Sequence, residues 1–72
     1  MKQGVLVQPN GLDCLDIRFD LDEYYGGLHC GQCFDVLAHG RWIPTRLEKE
    51  DRWYLVGIPV GNLIGIRIRI DC

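Results

Sequence analysis

The feature that most constrains the fold is a hairpin predicted within residues 28–58. Two segments of alternating apolar residues, 32–38 and 41–48, flank the dipeptide His39-Gly40. Glycine and histidine both tolerate the positive φ angles of a two-residue hairpin turn, so the two segments are predicted to be antiparallel strands with one apolar face. The predicted pairs are Ala38 with Arg41, Val36 with Ile43, and Phe34 with Thr45.

A third strand, predicted to follow a turn at Glu50-Asp51, continues the same apolar face. Because the side-chain period of a strand is two, a shift of one residue in either hairpin would expose large apolar side chains, at about 1.5–3 kcal/mol for each one. The predicted pairs across the second turn are Leu47 with Tyr54, Thr45 with Val56, and Ile43 with Ile58. The predicted core consists of Phe34, Val36, Ile43, Leu47, Tyr54, Val56, Ile66 and Ile68.

Strand periodicity also extends over the first twenty residues. Residues 2–8 are predicted to form a strand with Val5 and Val7 on one face, and a turn at Pro9-Asn10-Gly11 leads into a second strand. In that second strand the apolar residues that alternate with polar ones are Leu15, Ile17 and Phe19.

The rest of the chain supplies a loop and a final strand. Residues 20–27, DLDEYYGG, have no periodicity and are predicted to form a long, exposed, acidic loop. The final strand is predicted to lie next to the third one, after an odd-length loop within residues 59–63. No segment of the chain has a helical period. Its alternating apolar residues are Ile64, Ile66, Ile68 and Ile70.

These strands predict an all-β fold, a small five- to six-stranded antiparallel SH3-like barrel that forms a single domain over residues 1–72. A composition that is 47% hydrophobic and 25% charged is typical of a globular protein, and no apolar run approaches the ~18 residues of a membrane helix. The start of the chain has no apolar leader, so we expect a cytoplasmic protein that does not contact membranes.

Two resemblances to known proteins add to the predicted strands. The run Leu28, Gly31, Phe34, Asp35 and Val36 resembles the diverging turn of SH3-like barrels. The segments EYYGGLHCGQCFDVL, GRWIPTRLE and WYLVG resemble a family of small uncharacterised bacterial proteins, a domain of unknown function associated with mobile elements of Gram-positive gut bacteria. This resemblance implies no activity and no catalytic or binding residues.

The cysteines offer one alternative function. Cys30 and Cys33 form a CxxC pair, but the sequence has no second such pair to complete four zinc ligands. A thioredoxin-type pair precedes a helix that lowers the thiol pKa, whereas here a strand follows. We therefore expect free thiols, and a small metal or thiol protein that uses Cys30 and Cys33 stays an alternative.

The predicted registers also define a candidate binding surface. They place Leu55 between Arg46 and Arg67, and Trp53 between Glu48 and Arg69, on the outer side of the sheet. Aromatic residues interleaved with arginines indicate a binding surface for protein or nucleic acid. The candidate binding residues are Trp53, Arg46, Arg67 and Arg69 on this surface, with Tyr24 and Tyr25 in the acidic loop and Trp42 beside it.

Catalytic residue sets are missing from the sequence. It has no serine, no glycine-rich phosphate loop and only two histidines. We therefore expect no enzyme activity and no cofactor. The function that the sequence favours is a non-catalytic interaction module with a protein partner, with nucleic acid as the alternative ligand and weak homo-oligomerisation left open.

Overall fold

The strands form where apolar residues alternate with polar ones, which confirms the predicted all-β class. The computed structural model describes residues 1–9 and 13–71. Its strands are β1 (Lys2–Val7), β2 (Asp16–Asp20), β3 (Glu23–Tyr24), β4 (Cys33–Ala38), β5 (Arg41–Lys49), β6 (Trp53–Leu55) and β7 (Arg67–Ile70). Within the described residues no helix is long and apolar enough to cross a membrane.

The strands belong to one antiparallel sheet in the order β3-β2-β1-β7-β4-β5-β6. Strands β3 and β6 lie at its two edges, so the sheet does not close, and the predicted barrel of five or six strands is wrong. The two edge strands are short, at two and three residues, and β6 pairs with only residues 47–49 of β5.

The final strand occupies a place that its sequence pattern does not predict. β7 pairs with β1 and β4, at the centre of the sheet, and not with β6. The connection over residues 56–66 is long enough to cross the core, where it buries Leu63. The backbone N–H of Leu6 donates to the Ile66 carbonyl, and the N–H of Gly65 donates to the Leu6 carbonyl. These two hydrogen bonds extend the pairing with β1 to the residues that precede β7.

The first predicted hairpin is confirmed in every pair. Ala38 lies opposite Arg41, and His39 and Gly40 have φ angles of 52° and 75°. These two positive angles are those of the primed turn that matches the twist of the strands.

The second predicted hairpin is wrong by one residue. Residues 50–52 form a three-residue loop, so Leu47 lies opposite Leu55 and not Tyr54. Leu55 is therefore buried, at 2% exposure, while Tyr54 and Val56 are 38% and 40% exposed. The prediction that Tyr54 and Val56 lie in the core is therefore wrong.

The core lies on one face of the sheet and is closed by loop residues. Strand residues Leu6, Ile17, Phe34, Val36, Leu47, Leu55, Ile68 and Ile70 are buried together with Leu15, Leu28 and Leu63. Of the other predicted core residues, Ile43 and Ile66 are only partly buried and pack against this cluster.

Part of the predicted acidic loop is ordered as strand β3, which pairs with β2. A buried carboxylate holds the segment that follows: Asp16 Oδ1 accepts hydrogen bonds from the backbone N–H groups of Ile17, Gly26 and Gly27 at 2.8, 3.0 and 2.9 Å. Such charge-assisted bonds are among the stronger ones in proteins. The predicted turn at Pro9-Asn10-Gly11 includes residues 10 and 11, which lie outside the described residues.

Candidate binding face

The face of the sheet that points away from the core carries a continuous row of side chains across six strands. Strand pairing places Tyr24 opposite Arg18, Arg18 opposite Val5, and Val5 opposite Arg67. The pairing of β7 with β4, continued by one residue, places Arg67 beside Leu37, which lies opposite Trp42. We call these residues the outer row: Tyr24, Arg18, Val5, Arg67, Leu37 and Trp42.

The outer row combines exposed apolar groups with guanidinium groups. Tyr24 is 51% exposed and Leu37 is 39% exposed. Arg67 is exposed, whereas Arg18 is half-buried. Tyrosine, tryptophan and arginine are the residue types enriched at the energetic centres of protein interfaces. The row therefore has the composition of an interface, and regular strands hold it in place.

Trp42, at one end of the row, belongs to a cluster with Arg69 and Asp35. Arg69 Nε donates to Asp35 Oδ2 at 2.8 Å, and the guanidinium carbon of Arg69 lies 4.7 Å from the centre of the Trp42 ring. The ion pair and the cation–π contact fix the orientation of all three side chains. Arg69 therefore covers one face of the Trp42 ring, and its charge is balanced by Asp35.

The four arginines of this face divide into two classes. Arg46 and Arg69 are paired with Glu48 and Asp35. Arg67 and Arg18 have no carboxylate partner within residues 1–9 and 13–71, and Arg18 Nε donates only to the backbone carbonyl of Asp20, at 3.3 Å. Two uncompensated cations therefore remain, on the strands that flank β1.

The predicted patch of Trp53 and Leu55 among three arginines does not form. Leu55 is in the core, and the central position of β7 separates Arg67 and Arg69 from β6. Trp53 lies on the core side, partly buried, with the ammonium group of Lys49 5.2 Å from its ring centre. Its indole Nε1 is buried and has no hydrogen-bond partner among the described residues.

The two tyrosines have different surroundings. Tyr24 is in β3 and points to the outer row, whereas Tyr25 packs edge-on against Phe19 with ring centres 6.5 Å apart. The Tyr25 hydroxyl also accepts a hydrogen bond from Gln32 Nε2 at 2.5 Å. Tyr25 is thus an anchor of the loop, and Tyr24 is available to a ligand.

The cysteines do not assemble into a site. Cys30 lies in a turn in which Gln32 N–H donates to the His29 carbonyl, and Cys33 is the first residue of β4. Both are exposed free thiols, and Cys14 is half-buried. In the part of the chain that the structure describes, no three His, Cys, Asp or Glu side chains are grouped to hold a metal ion. Cys72 lies outside the described residues.

Sequence reasoning missed Arg18, Val5 and Leu37 as members of this face. The alternation of Leu15, Ile17 and Phe19 does predict that Arg18 points away from the core, so that signal was present. The position of Leu37 beside Arg67 depends on the pairing of β4 with β7, which no local pattern indicates.

Comparison with known proteins agrees with this architecture. A family model described as "Domain of unknown function (DUF5348)" matches residues 4–70. The crystal structure of a protein from Ruminococcus gnavus is similar, with 49% sequence identity and a TM-score of 0.90, and the alignment covers 96% of this chain and 100% of that one. No curated protein matches the chain.

Proposed function

The chain belongs to the DUF5348 family, a domain of unknown function, and we propose that it is a non-catalytic protein-binding module whose interface is the outer row. The observation that carries the proposal is the row itself, in which two exposed apolar side chains alternate with two uncompensated arginines across neighbouring strands. The backbone of paired strands changes little when a partner binds, so the spacing of the row is preorganised, and the cost of binding is the ordering of exposed side chains such as Arg67.

The cluster of Trp42, Arg69 and Asp35 supports a protein ligand over nucleic acid. Single-strand binders stack successive bases on several open aromatic faces, but Arg69 covers one face of the half-buried Trp42, which leaves Tyr24 as the exposed aromatic side chain of the row. A fixed Trp–Arg pair is instead the kind of anchor on which protein interfaces depend.

The charges lead to the same conclusion. DNA-binding proteins commonly neutralise about 6–10 phosphates, whereas the outer face offers two uncompensated arginines on a chain with a net charge of −2. A polyanion would therefore gain few contacts here. A protein surface that combines apolar and acidic groups matches the row better.

Site-directed photo-crosslinking in the native host tests the proposal. A photoreactive amino acid at Leu37 reports on the outer row, and the same amino acid at Ile64, which is 43% exposed outside the outer row, is the matched control. We expect a protein adduct from position 37 and none from position 64. The partner, identified by mass spectrometry, should then bind the Leu37→Asp variant at least about tenfold more weakly than the Ile64→Asp variant, since a charge would be buried against it.

Three results would contradict the proposal. They are protein adducts only from position 64, adducts with nucleic acid from position 37, and equal affinities of the two Asp variants for the identified partner. The nucleic-acid result would establish the alternative ligand. The cytoplasmic location and the association with mobile elements stay predictions.

A further inference from the structure

The two uncompensated arginines of the outer row line one hollow. It has a volume of about 260 Å³, and its walls include Arg18, Arg67, Val5, Phe19 and Asp20. Arg18 and Arg67 lie on the two strands that flank β1, opposite the same residue, Val5. Two strand spacings separate their Cα atoms by roughly 9.6 Å, so both side chains can reach a single anion held above Val5.

The donors of these arginines are available. Arg18 uses Nε for the carbonyl of Asp20, which leaves its terminal nitrogens without a partner among the described residues. Asp20 Oδ1 accepts the backbone N–H of Leu21 at 2.8 Å, so the local carboxylate is engaged with the turn rather than with either guanidinium. Arginine presents a planar pair of N–H donors that matches the two oxygens of a carboxylate.

We propose that the hollow between Arg18 and Arg67 accepts a carboxylate side chain of the protein partner, an Asp or Glu flanked by apolar residues. This inference rests on the proposed function. The apolar flanks contact Leu37 on one side and Tyr24 on the other, because these are the exposed apolar members of the same row. Charge complementarity selects the partner: two cations and one rim carboxylate suit a single acidic side chain, and they suit a chain of phosphates poorly.

Nuclear magnetic resonance with two synthetic peptides tests this inference. The probe is an acetylated and amidated pentapeptide of sequence VELEV, and the control is VQLQV, which keeps the shape and loses the charge. We expect the Nε–H signals of Arg18 and Arg67 to shift on titration of VELEV, and VQLQV to bind about tenfold or more weakly. The shifts should shrink as salt is raised, since screening weakens an exposed ion pair.

Three variants locate the effect. Arg67→Gln changes an exposed side chain and should reduce VELEV binding about tenfold, and Arg18→Gln should do the same. Arg52→Gln is the matched control, because Arg52 is an exposed arginine in the β5–β6 loop and also lacks a carboxylate partner in the described residues. It should bind VELEV like the unmodified protein. Thermal unfolding of each variant verifies that it is folded.

The outcomes separate this inference from the proposed function. Equal binding of the two peptides, no shift at ~10 mM VELEV, or binding that survives Arg67→Gln and Arg18→Gln would each overturn the carboxylate site. If crosslinking from Leu37 still identifies a protein, the binding module would stand without the carboxylate site. Stronger binding of a decathymidylate than of VELEV to the same two arginines would overturn both.

Discussion

Two hairpins share strand β5, and they differ in how well the sequence predicts them. The β4–β5 hairpin turns at His39 and Gly40, and every predicted pair is present. The β5–β6 hairpin turns through residues 50–52, and its register differs from the predicted one by one residue. Both hairpins bury apolar residues on the same face of β5, so hydrophobic pattern alone does not explain the difference.

The turns do explain it. Positive φ at His39 and Gly40 specifies a two-residue turn, and that loop length fixes the register. The segment Glu50-Asp51-Arg52 has no glycine, and its acidic and basic residues accept either a two- or a three-residue loop. The register there is set by burial of Leu55, and since Tyr54, Leu55 and Val56 are all apolar, the sequence pattern fits both alternatives.

The largest expected effect tests the β5–β6 register directly. Leu55→Ala should lower the free energy of unfolding by about 2–5 kcal/mol, because Leu55 is 2% exposed and its truncation leaves a cavity. Val56→Ala should change it by less than about 1 kcal/mol, because Val56 is 40% exposed. Urea denaturation followed by tryptophan fluorescence measures both.

The reverse order of these two effects would restore the register that the sequence predicted, with Val56 in the core. Losses below about 1 kcal/mol for both variants would mean that β6 contributes little to the core. Either result would remove the contrast between the two hairpins.

The next effect tests the β4–β5 turn. Gly40 has a φ of 75°, and a Cβ atom there would meet nothing within 4 Å, so Gly40→Ala adds backbone strain without a steric clash. We expect the free energy of unfolding to fall by about 1–2 kcal/mol, because a left-handed conformation is unfavourable for a residue with a side chain. Gly61→Ala, also in open space but without a positive φ, should leave stability unchanged or slightly raised. A neutral Gly40→Ala would show that the turn does not determine the register.

The same contrast shows which parts of the molecule are predictable. Local signals suffice for the all-β class and for β4–β5, and they name Tyr24 and Trp42 as candidate binding residues. The place of β7 is not local: its isoleucines alternate cleanly, but that pattern fits any strand that is buried on one face. Because β7 brings Arg67 between Val5 and Leu37, the candidate site could not be assembled without the strand order.

A smaller effect probes the link between β5 and the segment after β6. Thr45 is buried, and its Oγ1 donates to the Val56 carbonyl at 2.7 Å. Thr45→Val keeps the shape of the side chain and removes the donor. We therefore expect the free energy of unfolding, measured by chemical denaturation, to fall by about 0.5–1.5 kcal/mol. Thr45→Ser keeps the hydroxyl and should retain the bond while it loses one methyl group. If Thr45→Val is as stable as the unmodified protein, the hydrogen bond does not contribute to holding this segment.

The smallest expected effect on stability concerns the edge that the short β6 leaves open. β5 has nine residues, but β6 pairs only with residues 47–49, and the Arg46 carbonyl accepts a bond from Val56 N–H at 3.0 Å. Hydrogen-bonded and non-hydrogen-bonded pairs alternate in an antiparallel ladder. Trp42 and Pro44 belong to the non-hydrogen-bonded pairs with β4, so their backbone groups point to the open edge. Proline has no N–H, and one of the two donors on this edge is therefore missing.

Pro44→Val restores that donor and creates the edge sequence WIVT, which is rich in β-forming residues. We expect the free energy of unfolding to change by less than about 0.5 kcal/mol. Self-association through paired β5 edges should become at least about tenfold tighter, as measured by sedimentation velocity over a range of concentrations. Pro59→Val, at an exposed proline outside the strands, is the control and should associate like the unmodified protein. If Pro44→Val does not associate more strongly, the missing donor at Pro44 does not protect this edge.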